Sequence, residues 1–132
     1  MKNGKELETG LKGEAQAVVD THNTATAMGS GEIEVFATPA MIALMESSAV
    51  AALKGRLPSG ETSVGVRLEV SHVAATPVGM RVSAEAVLER IDGRRLFFRV
   101  TACDAREKIG EGFHERVLVQ QEKFMIRVAG KQ

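Results

Sequence analysis

Three side chains in this sequence are placed to do chemistry: Glu46, Thr38 and His72. Glu46 interrupts the stretch FATPAMIALMESSAVAALKGRL at 36–57, where almost every neighbour is apolar or small. An ionised carboxylate in such surroundings is costly unless paired, and perturbed carboxylates occur both at reactive sites and in structural ion pairs. Two readings therefore stand: a working carboxylate, or one on a polar strip with Ser47 beside solvent. Thr38 precedes Pro39 at the head of the same stretch. Its hydroxyl can cap a helix, and the N–H groups there, at the positive end of the helix dipole, can hold a developing oxyanion. His72 closes a run of alternating residues and is followed by small ones. It is either a surface or capping group, or an acid–base group facing a cleft. His22 and His114 carry no such local signal and are read as structural.

The element that must position Glu46 and Thr38 is a long helix. Thr38-Pro39 starts it, Gly55 and Pro58 stop it, and about 17 residues lie between. Met41, Ile42, Leu44, Met45, Ala49, Ala52 and Leu53 spread an apolar face far round it, so it is predicted to be buried. Short strands are predicted at 15–19 and 33–36, with a Gly-rich loop at 22–31. After the helix, Val64, Val66, Leu68 and Val70 alternate with polar or small residues, the period of a half-buried strand that His72 follows. Two more alternating runs, 82–88 and 96–102, flank Asp92-Gly93, a hairpin turn signal. A last strand is predicted over 109–119, then a short tail at 124–128. Residues 1–13 read as a loose lead-in and 14–129 as a single domain. The predicted class is α+β, one buried helix wrapped by an antiparallel meander. The helix face left uncovered by that sheet predicts a homo-oligomer.

Composition narrows the function. The chain has 132 residues, with 17 Lys plus Arg against 17 Asp plus Glu, so no net field draws nucleic acid or anionic membrane. With no Trp or Tyr and only five Phe, a base-stacking platform is not expected either. The one cysteine, Cys103, cannot form an internal disulfide and fits a reducing compartment. The opening MKNGKELETG has no apolar core and no apolar run reaches ~18 residues, so a cytoplasmic location without a membrane span is predicted. GSG at 29–31 and GEG at 110–112 lack the lysine and the strand-to-helix setting of a phosphate loop. No GxSxG, no HExxH and no Cys/His metal cluster is present. Arg94, Arg95 and Arg116 can meet phosphates, although each alone is more often a solvated charge.

Four segments resemble a known family: VFATPAMIALMES at 35–47, SVGVRLEVSHVAATPVGMRV at 63–82, DGRRLFFRV at 92–100 and IGEGFHERVLV at 109–119. Their order and spacing are similar to the hotdog-fold acyl-CoA thioesterases, most closely the fluoroacetyl-CoA thioesterase-like branch. The resemblance implies catalytic roles for Thr38, Glu46 and His72, and contact with the substrate at Gly65 and Arg116. It implies hydrolysis of a small acyl-CoA, with CoA as part of the substrate and no metal or redox cofactor. A non-catalytic hotdog module binding an acyl-CoA or apolar ligand is the alternative, and a dehydratase a third. One departure stands out: where the fluoroacetyl branch carries a phenylalanine in a lid ahead of the helix, the alignment puts Glu32, with Phe36 or Met28 as substitutes if that loop is slipped. Thr38 and Glu46 are also ~12 Å apart along one helix and about 80° apart around it, too far to share one carbonyl. A homodimer with antiparallel helices is therefore expected to build each site from Thr38 of one chain and Glu46 of the other.

Overall fold

A computed structural model of the chain describes residues 6–132, in the order β1 (Lys12–Val18), α1 (Ala25–Met28), α2 (Thr38–Ala52), β2 (Glu61–His72), β3 (Arg81–Asp92), β4 (Arg95–Asp104), β5 (Lys108–Gln120) and α3 (Gln121–Ala129). The strands form one antiparallel sheet in the order β1-β3-β4-β5-β2. Alternation decides which face meets the helix. Val82, Ala84, Ala86 and Leu88 of β3 and Leu96, Phe98, Val100 and Ala102 of β4 are all buried. They form one core with Met41, Leu44, Met45, Ala49 and Ala52 of α2. Gly13 lets the helix lie directly on β1: a Cβ there would stand 2.1 Å from the Ser48 carbonyl oxygen. Ser48 itself is fully buried, and its hydroxyl donates to the Met45 carbonyl at 2.6 Å. Burying that hydroxyl therefore leaves no unmet polar group.

Several local expectations change. The predicted meander holds for β3, β4 and β5, but β2 sits at the far edge against β5, and residues 73–80 carry the chain to β3 on the other side. The 33–36 segment is no strand; it makes only the isolated bridges Thr24↔Phe36 and Val35↔Pro77. The loop at 22–31 contains α1, capped by Thr24, whose hydroxyl accepts from the Ala27 N–H at 3.2 Å. Helix α2 ends at Ala52, slightly earlier than predicted, and the chain turns away through Gly55 at φ 76°. The tail is helical as α3, with none of its residues buried. The expected lead-in shortens too: β1 starts at Lys12, and the Gly10 N–H donates to the Leu88 carbonyl at 2.7 Å. Residues 1–5 of that lead-in lie outside the described residues. Among the described residues no helix is long and apolar enough to cross a membrane.

The helix is not wholly covered. Ala43, Val50 and Ala51 stay exposed on α2, and Val66 is exposed on edge strand β2.

Candidate active site

Thr38 is not the helix cap. Ala37 takes that position without a side-chain bond, which leaves Thr38 as the first helical residue and Pro39 beside it. The first ladder bond runs from the Met41 N–H to the Ala37 carbonyl at 3.0 Å, so the N–H groups of Thr38 and Ala40 precede the ladder. Released from capping, the Thr38 hydroxyl lies 2.7 Å from Nδ1 of His72. His72 is the last residue of β2, paired with Gly110, and the next N–H, of Val73, donates to the Ile109 carbonyl at 2.7 Å. The strand end thus holds the imidazole over the head of the helix. Partial burial lowers the His72 pKa below its ordinary value by disfavouring the charged ring. Its Nε2 is buried without a hydrogen-bond partner among the described residues. The pair lines a cleft of about 280 Å³ together with Ala25, Ser30, Val35 and Phe36.

Two turns along α2, a second group forms around Glu46. Its carboxylate faces the Arg116 guanidinium, Oε2 to Nη1 at 3.6 Å; the Arg116 side chain is only 7% exposed and that of Glu46 39%. Gly65 lies under the carboxylate, beside an irregularity in β2 between Gly65 and Arg67. A Cβ on Gly65 would stand 2.5 Å from Glu46 Oε2 and 3.3 Å from Arg116 Nη1. The carboxylate can sit here only because position 65 has no side chain, and any other residue would push it aside. Arg116 is held firmly: Nε donates to the Ser63 hydroxyl at 2.8 Å and Nη2 to the Ser63 carbonyl at 3.1 Å. Nη1 meets Nε2 of His114 at 3.1 Å, and Nδ1 of His114 lies 2.8 Å from the Arg67 carbonyl. Burial lowers the pKa of Arg116, an effect the Glu46 charge opposes. Burial, reinforced by the Arg116 charge, lowers that of His114 as well. Among the described residues no group of three or more His, Cys, Asp or Glu is placed to hold a metal ion.

The model of the fluoroacetyl-CoA-specific thioesterase family (FlK) matches residues 19–122, a span that contains both groups. This chain belongs to that family. It is 46% identical over 98 residues to the fluoroacetyl-CoA thioesterase of Streptantibioticus cattleyicolor, covering 74% of this chain and 70% of the relative. A solved structure of the fluoroacetyl-CoA thioesterase FlK superposes with a TM-score of 0.91 at 37% identity, over 97% of this chain and 99% of that one. A thioesterase superfamily member from Thermus thermophilus gives 0.84 at 28% identity, over 94% and 93% of the two chains. A hot-dog-like protein from Thermanaerovibrio acidaminovorans gives 0.85 at 29%, over 95% and 93%. The α+β layout is the hotdog fold, and the protein is a thioester hydrolase.

Within the single chain of this thioesterase, the five residues singled out by sequence fall into two groups. Thr38 meets His72; Glu46 meets Gly65 and Arg116. The helix keeps the groups apart, since eight residues of α2 rise ~12 Å. Arg116 is no solvated charge; it is 6% exposed. Glu32 and Ile33 stand exposed between Ser30 and Val35, which line the Thr38–His72 cleft. Of the two substitutes for Glu32, Phe36 is 2% exposed in the core and Met28 45% exposed. Sequence reasoning missed Ser63 and His114. A signal for His114 existed, because it lies two residues before Arg116 in one strand and so shares its face.

Proposed function

We propose that this thioesterase hydrolyses a small acyl-CoA to the free acid and CoA. The reading rests on one arrangement: a Thr38–His72 hydrogen bond at the head of α2, with a carboxylate farther along that helix fixed between Arg116 and a bare Gly65. N–H groups at the head of α2 hold the thioester oxygen as it becomes anionic. Glu46 attacks the carbonyl carbon, leaving an anhydride that water then cleaves, or takes the proton of the attacking water. His72, neutral at rest, accepts the water's proton and passes it to the departing thiolate. Thr38 orients the reacting group through its bond to His72. Gly65 and Arg116 border the acyl end of the substrate. CoA enters and leaves as substrate, and the scheme uses no metal or redox group.

The active unit in this proposal is a homodimer. The ~12 Å between Thr38 and Glu46 is bridged by a second copy whose α2 runs antiparallel, so each site takes Thr38 and His72 from one chain and Glu46 from the other. The exposed Ala43, Val50 and Ala51 of α2 give such a partner an apolar surface. The single free cysteine, Cys103, suits the cytoplasm.

Free-thiol release from a panel of short acyl-CoAs tests the reading. Turnover is expected on acetyl-CoA and related esters, with little preference for fluoroacetyl-CoA, because Glu32 offers no apolar ring at the lid position. Saturable binding with no thiol released above background refutes hydrolysis; a strong preference for the fluorinated ester refutes the role given to Glu32.

A further inference from the structure

His114 is 1% exposed and has no part in the scheme above, yet it touches the arginine that faces Glu46. Its two ring contacts determine its protonation. The Arg67 carbonyl, 2.8 Å from Nδ1, can only accept, so Nδ1 carries the hydrogen. The Arg116 guanidinium, 3.1 Å from Nε2, can only donate, so Nε2 offers its lone pair. A protonated ring would turn an N–H against the N–H of Arg116 and set cation against cation. Only the neutral, Nδ1-protonated imidazole satisfies both neighbours.

We infer that His114 is a positioning residue: as a neutral acceptor it completes, with Ser63, the cradle that holds Arg116 toward Glu46. Ser63 on β2 fixes Nε and Nη2, and His114 on β5 fixes Nη1, the nitrogen 3.6 Å from Glu46 Oε2. The Arg67 carbonyl anchoring the ring belongs to the irregular part of β2 next to Gly65, so one strand deformation serves both the carboxylate and its arginine. The charges acting directly on His114 are Arg116 from its own strand and Glu46 from α2. The ring also borders a cavity of about 430 Å³ shared with Arg67 and Glu69 of β2, Glu89 and Arg90 of β3 and Glu115 of β5. Strand β4 presents the ring of Phe98, with centroids 6.3 Å apart, and β2 the Arg67 carbonyl. Burial and the adjacent guanidinium favour the neutral ring and outweigh the Arg67 hydrogen bond and the Glu46 charge, which favour the charged one. Acid that charges His114 therefore removes the acceptor from Nη1 and loosens the hold on Glu46. This inference rests on the hydrolytic role proposed for Glu46.

The tautomer can be read without activity. Nitrogen-15 NMR of the wild-type ring near neutral pH, assigned by loss of the signal in His114→Gln, is expected to show protonated Nδ1 and bare Nε2. A charged ring or an Nε2-protonated one overturns the inference. In turnover, His114→Phe is expected to lose about 10-fold or more in kcat, since small misplacements of a reacting group carry such penalties. His114→Gln, whose amide oxygen can replace Nε2 as acceptor, is expected to recover much of that loss. Its acidic limb in log kcat/KM should be shallower than wild type by one proton. An unchanged limb in His114→Gln, or wild-type kcat in His114→Phe, overturns the positioning role. The underlying reading is checked separately by Glu46→Gln: if that variant is fully active, the carboxylate mechanism has failed; if it is inactive while His114→Phe is not, only the present inference has.

Discussion

The Thr38 hydroxyl and Nδ1 of His72 lie 2.7 Å apart, joining the first residue of α2 to the last of β2. One group pre-organises the other. A hydroxyl that would ordinarily cap the helix instead orients an imidazole whose burial keeps it neutral.

That neutrality sets a pH dependence. Activity is expected to fall as pH drops through the lowered His72 pKa, somewhere below the ordinary ~6.5 of an imidazole. Stability should move in the same direction. The folded pKa values of His72 and His114 are both depressed, so the unfolded chain takes up protons first. Their contribution is present above ~6.5 and is lost as pH falls through the folded values. Thermal melts across pH 5–8, beside kcat/KM, check both statements; a His72→Ala variant that keeps the wild-type acidic limb contradicts the first.

Gly65 gives a prediction about shape alone. Gly65→Ala puts a methyl 2.5 Å from the present position of Glu46 Oε2 and displaces the carboxylate. Turnover is expected to fall about 10-fold or more with the fold retained, because catalysis is sensitive to small misplacements. Steady-state kinetics and circular dichroism on one preparation measure the pair. Wild-type kcat with a native spectrum would show that the carboxylate need not sit where this backbone allows it.

Much of the framework was legible in local pattern. Alternation at 82–88 and 96–102, with Asp92-Gly93 between, is enough to define the β3–β4 hairpin, and the apolar stretch after Thr38-Pro39 to define α2. What was not legible depended on distant partners. Nothing local says that β2 pairs with β5 across the sheet instead of with β3. A Thr before Pro fits either the cap or the first helical position, and His72, 34 residues on, is what draws its hydroxyl. Arg116 resembles a solvated cation until Ser63, His114 and Glu46 close round it. Helix α3 does gather Phe124, Met125 and Val128 on one side, but at nine residues with no side chain buried it is too short for that pattern to tell it from a tail.

The shared site is open to complementation. Thr38→Ala and Glu46→Ala, each nearly inactive alone, can be unfolded together and refolded. In a mixed dimer one site collects both lesions and the other keeps Thr38 and Glu46 intact. Activity approaching one working site per heterodimer is expected. Heterodimers that form and stay inactive would place both residues in the same site from one chain.

The most direct measurement is thiol release by Glu46→Gln. Glutamine keeps the size of the side chain while removing nucleophile and base together. With the fold retained by thermal melting, turnover is expected to drop about 10²-fold or more, the scale seen when a general base is lost. Hydrolysis at close to the wild-type rate would contradict the account, because the Glu46 carboxylate would then take no part in breaking the thioester.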